Sequence, residues 1–529
     1  RRFSFWVCPV GIGSGFRSIA SGALCVLLLS ACSGGENTLP GITEPDIPVG
    51  FRNENPIVTD AQTEPLIDIV ETQDSGEVLD TDEDVGWNPS SGPGKYFDQA
   101  SIKDVESLEL AWKQVESGPF SLPAGDVYQL VFEFTSQEVV GTIWRHRATL
   151  YLPTEMPNKE SGETGNEGEA QEDGALEYAL AVVQQGKVQS LEDKGKEEFQ
   201  KLYGAEIALS MNIPVVVVED LPPESLVFAG PGVGGADWAH CFDTPLDEST
   251  FVHCGYGLVL EAQDLSYSPF LPVARTFLRA VAASEKVVEV AGKALGSDLP
   301  VAELAPTELV FAGEGVAGVG ARMAVVSDER GVGAMTLGAD FAALGDLAEL
   351  MVAVWSTPGS WLSAEEITQS LALPVGVTHA DLFDPVRFSE VFEGKRLAIG
   401  VDANDPRFPL GALDLYADLI PAELITLYLS NIGTGFEDPR YLGLWRVLLD
   451  RIVKDQAPPK PKITVDYSED PWVITAEVTG CQNDHCHTLE AYVVSHQETY
   501  LDNDFRDAVW ESVPMSRKLE SAQPMKLPF

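Results

Sequence analysis

Three acidic residues follow apolar runs of the sequence, at positions where carboxylates could do chemistry. Glu314 comes after the run 309–312, and Asp402 and Asp405 come after the run 397–401. Two carboxylates held close together can divide the work of a general acid and a general base, or can bind Ca²⁺. The alternative is that these three residues are solvated loop carboxylates without a catalytic role.

The run 309–312 leads directly into a glycine-rich turn, Gly313 to Gly318, and then into a helical pattern. At the carboxyl end of a strand, such a turn is where a serine hydrolase carries its nucleophile, in the pattern Gly-x-Ser-x-Gly. That pattern occurs nowhere in the 529 residues. The loop after the run 424–429, where the base would stand, has no histidine, because all seven histidines lie outside residues 380–484.

The carboxylates and the glycine-rich turn stand at the ends of predicted strands, which alternate along the sequence with predicted helices. Strands are predicted where apolar and β-branched residues run together, and helices where apolar residues recur every three to four positions. The predicted strands are 127–134, 142–152, 178–183, 214–218, 309–312, 332–337, 397–401 and 424–429. The predicted helices are 191–211, 272–294, 341–355, 410–420 and 439–454. The alternation predicts an α/β, α/β-hydrolase-like fold with a mostly parallel sheet and helices on both faces.

The composition limits the partners of the chain. It has 34 Lys and Arg against 82 Asp and Glu, a net charge of −48, and 44% hydrophobic residues. A chain of this length and hydrophobicity can bury a large core, so it is not a disordered acidic tail. The negative charge argues against nucleic acid as a partner, since phosphate recognition needs Lys and Arg.

The amino-terminal residues are typical of a bacterial lipoprotein signal. Basic residues precede the apolar stretch 19–29, which ends in Leu29-Ser30-Ala31-Cys32. Residues 1–31 are therefore predicted to be removed, and Cys32 to be acylated as the mature amino terminus. The alternative is an ordinary signal peptide. We expect an exported, membrane-anchored lipoprotein of the bacterial cell envelope, held to the membrane by the lipid on Cys32.

The remaining chain divides into a tether and two folded parts. Residues 32–95 are predicted to be an acidic, disordered tether, because 33–85 hold 14 acidic residues and one basic residue. A specific acidic recognition tail is the alternative. Residues 96–456 are predicted to be the α/β-hydrolase-like domain, with an exposed polar loop at 154–175. Residues 457–529 are predicted to be a proline-rich linker and a small β-rich, immunoglobulin-like domain.

Four cysteines remain after the leader and Cys32. In an exported protein they predict two disulfides, Cys241–Cys254 and Cys481–Cys486. The alternative is a zinc site, because histidines flank the same cysteines at 240, 253, 485 and 487. No metal and no cofactor are predicted for the preferred interpretation.

The order of several motifs resembles the PhoPQ-activated pathogenicity-related proteins, a family that also includes an autocrine proliferation repressor. The motifs are Trp144-Arg145-His146, Leu150-Tyr151-Leu152-Pro153, residues 221–228, Leu271-Pro272-Val273-Ala274-Arg275 with Arg279-Ala280, the glycine-rich turn, Asp405-Pro406-Arg407-Phe408, and residues 504–507 with Trp510. The resemblance covers roughly residues 125–515. It implies an α/β-hydrolase fold with a β-rich end, usually on exported proteins.

The resemblance also implies where a catalytic triad would stand. The nucleophile serine would fall on Gly315 and the base histidine on Thr434, so both are replaced, and only the acid position, Asp405, is retained. Without serine there is nothing to acylate, and without histidine nothing takes the proton.

The prediction is therefore a catalytically degenerate relative that serves as a binding or interaction module for an unknown ligand or envelope protein. The first alternative is an active hydrolase of peptides, esters or glycans with a non-standard carboxylate site. The second is a metal-dependent structural or adhesive lipoprotein.

Overall fold

The computed structural model describes most of the predicted hydrolase-like domain and selected strands at either end. The described residues are 3–7, 26–32, 92–113, 120–122, 125–154, 178–185, 193–222, 228, 235–242, 245–295, 299, 304–355, 358–429, 436, 438–458, 460–466, 473–479, 486–493, 506 and 511–515. Almost all of the predicted tether and polar loop, together with Thr434 and Cys481, lie outside them.

Sixteen strands are described. In chain order they are β1 (Phe3–Val7), β2 (Val26–Cys32), β3 (Ala111–Lys113), β4 (Phe120–Leu122), β5 (Gly125–Val139), β6 (Thr142–Pro153), β7 (Ala179–Gln184), β8 (Val215–Val218), β9 (Glu308–Glu314), β10 (Gly331–Leu337), β11 (Arg396–Asp402), β12 (Glu423–Leu429), β13 (Lys460–Asp466), β14 (Val473–Thr479), β15 (Cys486–Val493) and β16 (Glu511–Met515).

Ten of these strands form the main sheet, in the order β12-β11-β10-β9-β7-β8-β6-β5-β3, with β4 also paired to β5. The six strands from β7 to β12 run parallel to one another. β6 pairs antiparallel with β8, and β5 pairs antiparallel with β6. This is the mostly parallel sheet, with an antiparallel end, of an α/β-hydrolase fold, so the predicted fold class is confirmed.

Ten α-helices are found in the described residues, mainly between the parallel strands. They are α1 (Gln99–Lys103), α2 (Asp193–Phe199), α3 (Glu206–Met211), α4 (Glu248–Ala262), α5 (Leu271–Leu295), α6 (Val316–Val325), α7 (Leu344–Val354), α8 (Ala364–Leu371), α9 (Pro374–Phe383) and α10 (Pro439–Val453). A π-helical segment, Gln200–Ala205, joins α2 to α3. None of the described helices is long and apolar enough to cross a membrane.

The central strands are buried because helices cover both faces of the sheet. Every residue of β7 and β8 is buried, so these strands are uniformly apolar runs rather than alternating ones. α6 is buried along its whole length and packs closely on α5. At Gly320 an added Cβ would lie 2.6 Å from Val273 Cγ1, so the absence of a side chain there permits this approach.

The predicted strands of the main sheet are all present, but the helix prediction was wrong at 410–420 and missed α1, α4, α8 and α9. The segment 410–420 is not a helix: it contains two short 3-10 turns, Leu413–Leu415 and Ala417–Leu419. The repeated Asp and Leu residues there mimic a helical period, while the chain turns twice between them. α4 was missed, because its sequence contains two glycines and only a weak apolar stripe.

Outside the main sheet, β1, β2, β15 and β16 form an antiparallel sheet, and β13 pairs with β14. β1 and β2 fall within the predicted leader and its lipidation site, so after cleavage only the pairing of β15 with β16 would be left in that sheet. The antiparallel strands of 457–529 agree with a β-rich end. An immunoglobulin-like arrangement stays a prediction.

Candidate functional site: an occupied nucleophile elbow

The turn between β9 and α6 has the backbone of a nucleophile elbow. Gly315 has a φ of +56° and a ψ of −123°, and it immediately precedes the first residue of α6. Its N–H donates to the carbonyl oxygen of Leu337 at the end of β10, 2.8 Å away. A side chain is strained in this conformation, and glycine is not. The sequence thus keeps the turn of a serine hydrolase while lacking its nucleophile.

The space above Gly315 is filled by Glu248, the first residue of α4. A Cβ added to Gly315 would overlap Oε1 of Glu248 and would lie 2.9 Å from Nη1 of Arg407. Glu248 is brought here by the start of α4, where Asp247 caps the helix by accepting a hydrogen bond from Thr250 N. No side chain larger than hydrogen fits at position 315 without moving Glu248.

Glu248 also binds the main-chain donor that an oxyanion would use. The N–H of Val316 donates to Glu248 Oε1, with an N–O distance of 2.9 Å. In α/β-hydrolases, the N–H of the residue after the nucleophile stabilises the oxyanion of the tetrahedral intermediate. The carboxylate of Glu248 therefore occupies this half of the oxyanion hole as an internal anionic ligand.

Arg407 and Asp405 form a buried ion pair beside Glu248. Arg407 Nε and Nη2 each donate to a different oxygen of Asp405, both at 2.9 Å, and the main-chain N–H of Arg407 donates to the same carboxylate at 2.7 Å. Arg407 Nη1 lies 3.8 Å from Glu248 Oε1. Burial disfavours the charged guanidinium, but Asp405 and Glu248 outweigh burial and raise the pKa of Arg407. Asp405 thus binds an arginine of its own loop, instead of orienting a histidine.

Two further buried carboxyl groups surround the ion pair. Burial, with the charge of Asp405, raises the pKa of Asp402 to about 7, although Asp402 accepts a hydrogen bond from Asn404 N at 3.0 Å. Burial likewise raises the pKa of Asp340 to about 6, and Tyr416 donates to Asp340 Oδ1 at 2.7 Å. Both groups are thus partly protonated near neutral pH.

Asp402→Asn should remove a pH-dependent loss of stability. The unfolded carboxyl group releases its proton near pH 4 and the folded one near pH 7, so between these values the folded state binds more protons and its stability falls as pH rises. We expect the free energy of unfolding of the variant to exceed that of the wild type by roughly 2–4 kcal/mol at pH 8, and the two to converge at pH 4.

Denaturant unfolding at a series of pH values measures this difference. Asp450→Asn, at a carboxylate paired with Lys454 on the exposed side of α10, is the control and should leave the slope between pH 4 and 7 nearly unchanged. Parallel pH profiles for the wild type and Asp402→Asn would show that the buried carboxyl group titrates normally.

The structure brings together some of the residues singled out from the sequence. Gly315 and Asp405 are linked through Arg407 and Glu248. Glu314 lies one residue before Gly315, and its carboxylate accepts a hydrogen bond from Phe436 N at 3.2 Å. Phe436 follows the predicted base position, Thr434, by two residues, but Thr434 itself lies outside the described residues.

Glu248 was missed by sequence reasoning, and Arg407 was noted only as part of a motif. Glu248 lies 68 residues before its hydrogen-bond partner Val316, in a helix with a weak apolar pattern. The only local signal was the Asp247-Glu248 pair, which is typical of a capped helix start and carries no indication of a site.

The described part of the chain covers the two metal alternatives only in part, because Cys481, His485 and the side chains of Cys486 and His487 lie outside it. There, the one group of at least three His, Cys, Asp or Glu residues with all ligand atoms within 4.8 Å of one another is His240, Cys241 and Cys254. Glu314, Asp402 and Asp405 do not converge in the way that a Ca²⁺ site requires.

The predicted disulfide between Cys241 and Cys254 is confirmed, with Cα atoms 5.7 Å apart. Its sulfurs are consequently not thiolates and cannot serve as zinc ligands. His240 lies beside them, with Nε2 at 3.4 Å from Cys241 Sγ. The second predicted disulfide cannot be examined, because Cys481 and the side chain of Cys486 lie outside the described part of the structure. The same holds for the side chain of Cys32.

Among known proteins, the chain is similar to solved structures alone. No protein-family model matches the chain, and no curated protein matches it. Among solved structures, the chain is similar to acetyl xylan esterase 1 from Thermoanaerobacterium sp. JW/SL YS485, with 12% identity over 69% of this chain and 95% of that chain and a TM-score of 0.37.

Two other similar structures are also esterases or hydrolases. An S-formylglutathione hydrolase from Agrobacterium tumefaciens has 12% identity over 64% of this chain and 96% of that chain, with a TM-score of 0.33. A CE15 glucuronoyl esterase from Teredinibacter turnerae T7901 has 11% identity over 66% and 80%, with a TM-score of 0.35. The assignment of the α/β-hydrolase fold rests on the strand order and the elbow of this chain, and the resemblance to PhoPQ-activated proteins stays an interpretation of sequence motifs.

Proposed function

We propose that this protein is a catalytically degenerate α/β-hydrolase that serves as a binding or interaction module at the bacterial cell envelope. One observation carries the proposal: the Glu248 carboxylate accepts a hydrogen bond from Val316 N and covers Gly315. A hydrolase needs this donor free for the oxyanion and this space free for the nucleophile. Both are taken by one side chain.

The neighbouring groups support the same conclusion. Asp405, the retained acid position, is 4% exposed and is engaged by three donors of Arg407, so it has no role left in orienting a base. An anion covers the oxyanion donor, and a cation holds that anion in place at 3.8 Å. A stable ionic arrangement of this kind suits a scaffold rather than a site that must bind and release substrate.

The alternative function is a hydrolase that uses buried carboxyl groups. Asp402, with its pKa raised to about 7 by burial, is the observation that favours it, because a general acid or base is most effective with a pKa near the working pH. Against it, Asp402 and Asp340 are each only 3% exposed, so a substrate would have to reach groups enclosed by protein.

An ester-hydrolysis assay separates the two functions. We expect the purified chain to release p-nitrophenol from p-nitrophenyl acetate at the rate of buffer alone, and Gly315→Ser combined with Glu248→Ala to stay at that rate, because a serine without a base is not activated. Saturable hydrolysis by the wild type that disappears in Asp402→Asn would establish the carboxylate hydrolase instead.

The proposed attachment of the protein to the membrane is tested by substituting Cys32. In a bacterial host, we expect the wild-type chain to fractionate with membranes and Cys32→Ser to be recovered in the soluble fraction, because the acyl chains would be its only anchor. Ser33→Ala serves as the control and should stay with the membranes. Equal membrane recovery of Cys32→Ser and the wild type would contradict a lipid anchor at this residue.

A further inference from the structure

A second site lies beside the first turns of α5, lined by residues other than those around Gly315. It is a cavity of about 450 Å³ between α5, the end of the β5–β6 hairpin and the segment 96–109. This volume is within the range of cavities that bind small molecules. Two arginines of α5, Arg275 and Arg279, line it. These arginines belong to the sequence motif of residues 271–280, and they take no part in the site around Gly315.

Arg279 is buried without a carboxylate partner among the residues that the structure describes. Its Nη1 donates to the carbonyl oxygens of Ser101 and Ile102, both at 3.0 Å, and of Asp104 at 2.6 Å. Its Nη2 donates to Ser107 Oγ at 2.9 Å. These bonds hold the segment 96–109 against α5. Within the described residues no carboxylate forms an ion pair with the guanidinium, although the charge of Asp104 acts on it.

Arg275 lies one helical turn before Arg279 and retains donors for a ligand. Its Nη2 donates to Ser101 Oγ at 3.0 Å, while its Nε is buried and has no hydrogen-bond partner. No carboxylate of the described residues is within ion-pair distance of it. Its Nη1 forms no hydrogen bond with the described residues, and Arg275 lines the cavity, so a ligand carboxylate can reach this donor. Burial lowers the pKa of both arginines and outweighs the opposite effect of the nearby carboxylates, Asp98 on Arg275 and Asp104 on Arg279.

The backbone of the β5–β6 hairpin is irregular where it borders the cavity. The register of β5 and β6 shifts between Thr135 and Gln137, which marks a β-bulge. Val140, at the hairpin turn, has a φ of +44°, a conformation that is strained for a β-branched residue. Bulges and strained residues of this kind are enriched next to binding sites. They turn apolar walls, Val139 and Val140, toward the cavity.

The charges on the walls favour a monoanion. Glu109 and Glu138 also line the cavity. Glu109 is paired with Arg145, and Glu138 is exposed. Their negative charges would repel a dianion such as phosphate more than a carboxylate, whereas a guanidinium presents two parallel donors that match a carboxylate.

We propose that this cavity binds a small organic monocarboxylate, with the carboxylate on Arg275 and an apolar body against Phe97, Val139 and Val140. The charge of Arg279 strengthens the binding without a direct contact. This site is independent of the proposed function at Gly315, so the failure of either leaves the other intact.

Titration of the full chain with three probes tests the proposal by calorimetry or by saturation-transfer NMR. Hexanoate should bind saturably at one site per chain. Hexanamide, which has the same size without the charge, and inorganic phosphate should bind at least tenfold more weakly. Arg275→Met should weaken the binding of hexanoate at least tenfold, because the bidentate partner is lost. Lys293→Met, which removes an exposed cation of α5 away from the cavity, should bind hexanoate like the wild type.

A second variant keeps the test valid if Arg275→Met folds poorly. Ser266 lines the cavity and is exposed, so Ser266→Trp should fill the mouth of the cavity and abolish the binding of hexanoate while leaving the fold intact. Absence of saturable binding to the wild type, or unchanged affinity in a folded Arg275→Met, overturns the proposal. Binding that survives in Arg275→Met but is lost in Arg407→Met would place the anion at the elbow and also overturn it.

Discussion

Gly315→Ser is expected to lower the free energy of unfolding by about 3 kcal/mol, from backbone strain and from lost contacts together. The strain arises because a side chain is disfavoured at a φ of +56° and a ψ of −123°. The lost contacts arise because Cβ and Oγ would displace the Glu248 carboxylate from Val316 N and from Arg407. Denaturant unfolding of the variant and the wild type measures the sum.

Two further variants divide this loss into its parts. Gly394→Ser introduces a side chain at a φ of +77° with no atom within 4 Å of the new Cβ, so it should show backbone strain alone, about 1 kcal/mol. Adding Glu248→Ala to Gly315→Ser removes the overlapping atoms, and we expect it to recover part of the stability. Equal losses for Gly315→Ser and Gly394→Ser would mean that Glu248 does not hold this position in solution.

Arg407→Met is expected to be among the most damaging single substitutions in the chain. Arg407 and Asp405 are 9% and 4% exposed at their side chains, so removing the arginine leaves a buried carboxylate without its partner. The usual cost of such a change is about 3–5 kcal/mol. The guanidinium also lies 5.6 Å from the centre of the Trp361 ring, a contact that methionine replaces only in part. Thermal or denaturant unfolding measures the loss.

The double variant Asp405→Asn with Arg407→Met distinguishes a broken ion pair from a packing defect. It should be more stable than Arg407→Met alone, because no unpaired buried charge remains. Arg145→Met, at an ion pair whose side chains are 65% and 56% exposed, is the matched control and should cost only about 0–1 kcal/mol. A loss of that small size for Arg407→Met would contradict the buried ionic arrangement at the elbow.

The expected losses of stability describe an elbow that is stabilised by the same residues that fill the space above Gly315. Glu248 is held by a main-chain donor on one side and by Arg407 on the other. Recovering a hydrolase would require removing Glu248, supplying a serine in a strained turn and introducing a histidine. The first two changes each disturb a stabilising contact, so the occupied elbow is part of the folded structure.

The strands that are uniformly apolar were predicted correctly from the local sequence. The strands β7 to β12 are short, buried runs, and their alternation with helices determines a parallel sheet with little dependence on context. The prediction failed at 410–420, where repeated Asp-Leu pairs give a misleading helical period. It also missed α4, whose apolar pattern is weak, together with α8 and α9. The Cys241–Cys254 disulfide was predicted from a short spacing that suits a closed loop.

The sequence by itself determined the class of fold and the absence of a serine from the elbow, because both follow from residue types placed at the ends of recognisable strands. Only the tertiary structure decided what fills the vacant space. Glu248 reaches Val316 across 68 residues, through the packing of a helix whose own pattern is weak. Likewise, only the tertiary structure places Arg275 and Arg279 at a cavity, because burial and contacts between distant segments are properties of the packed chain.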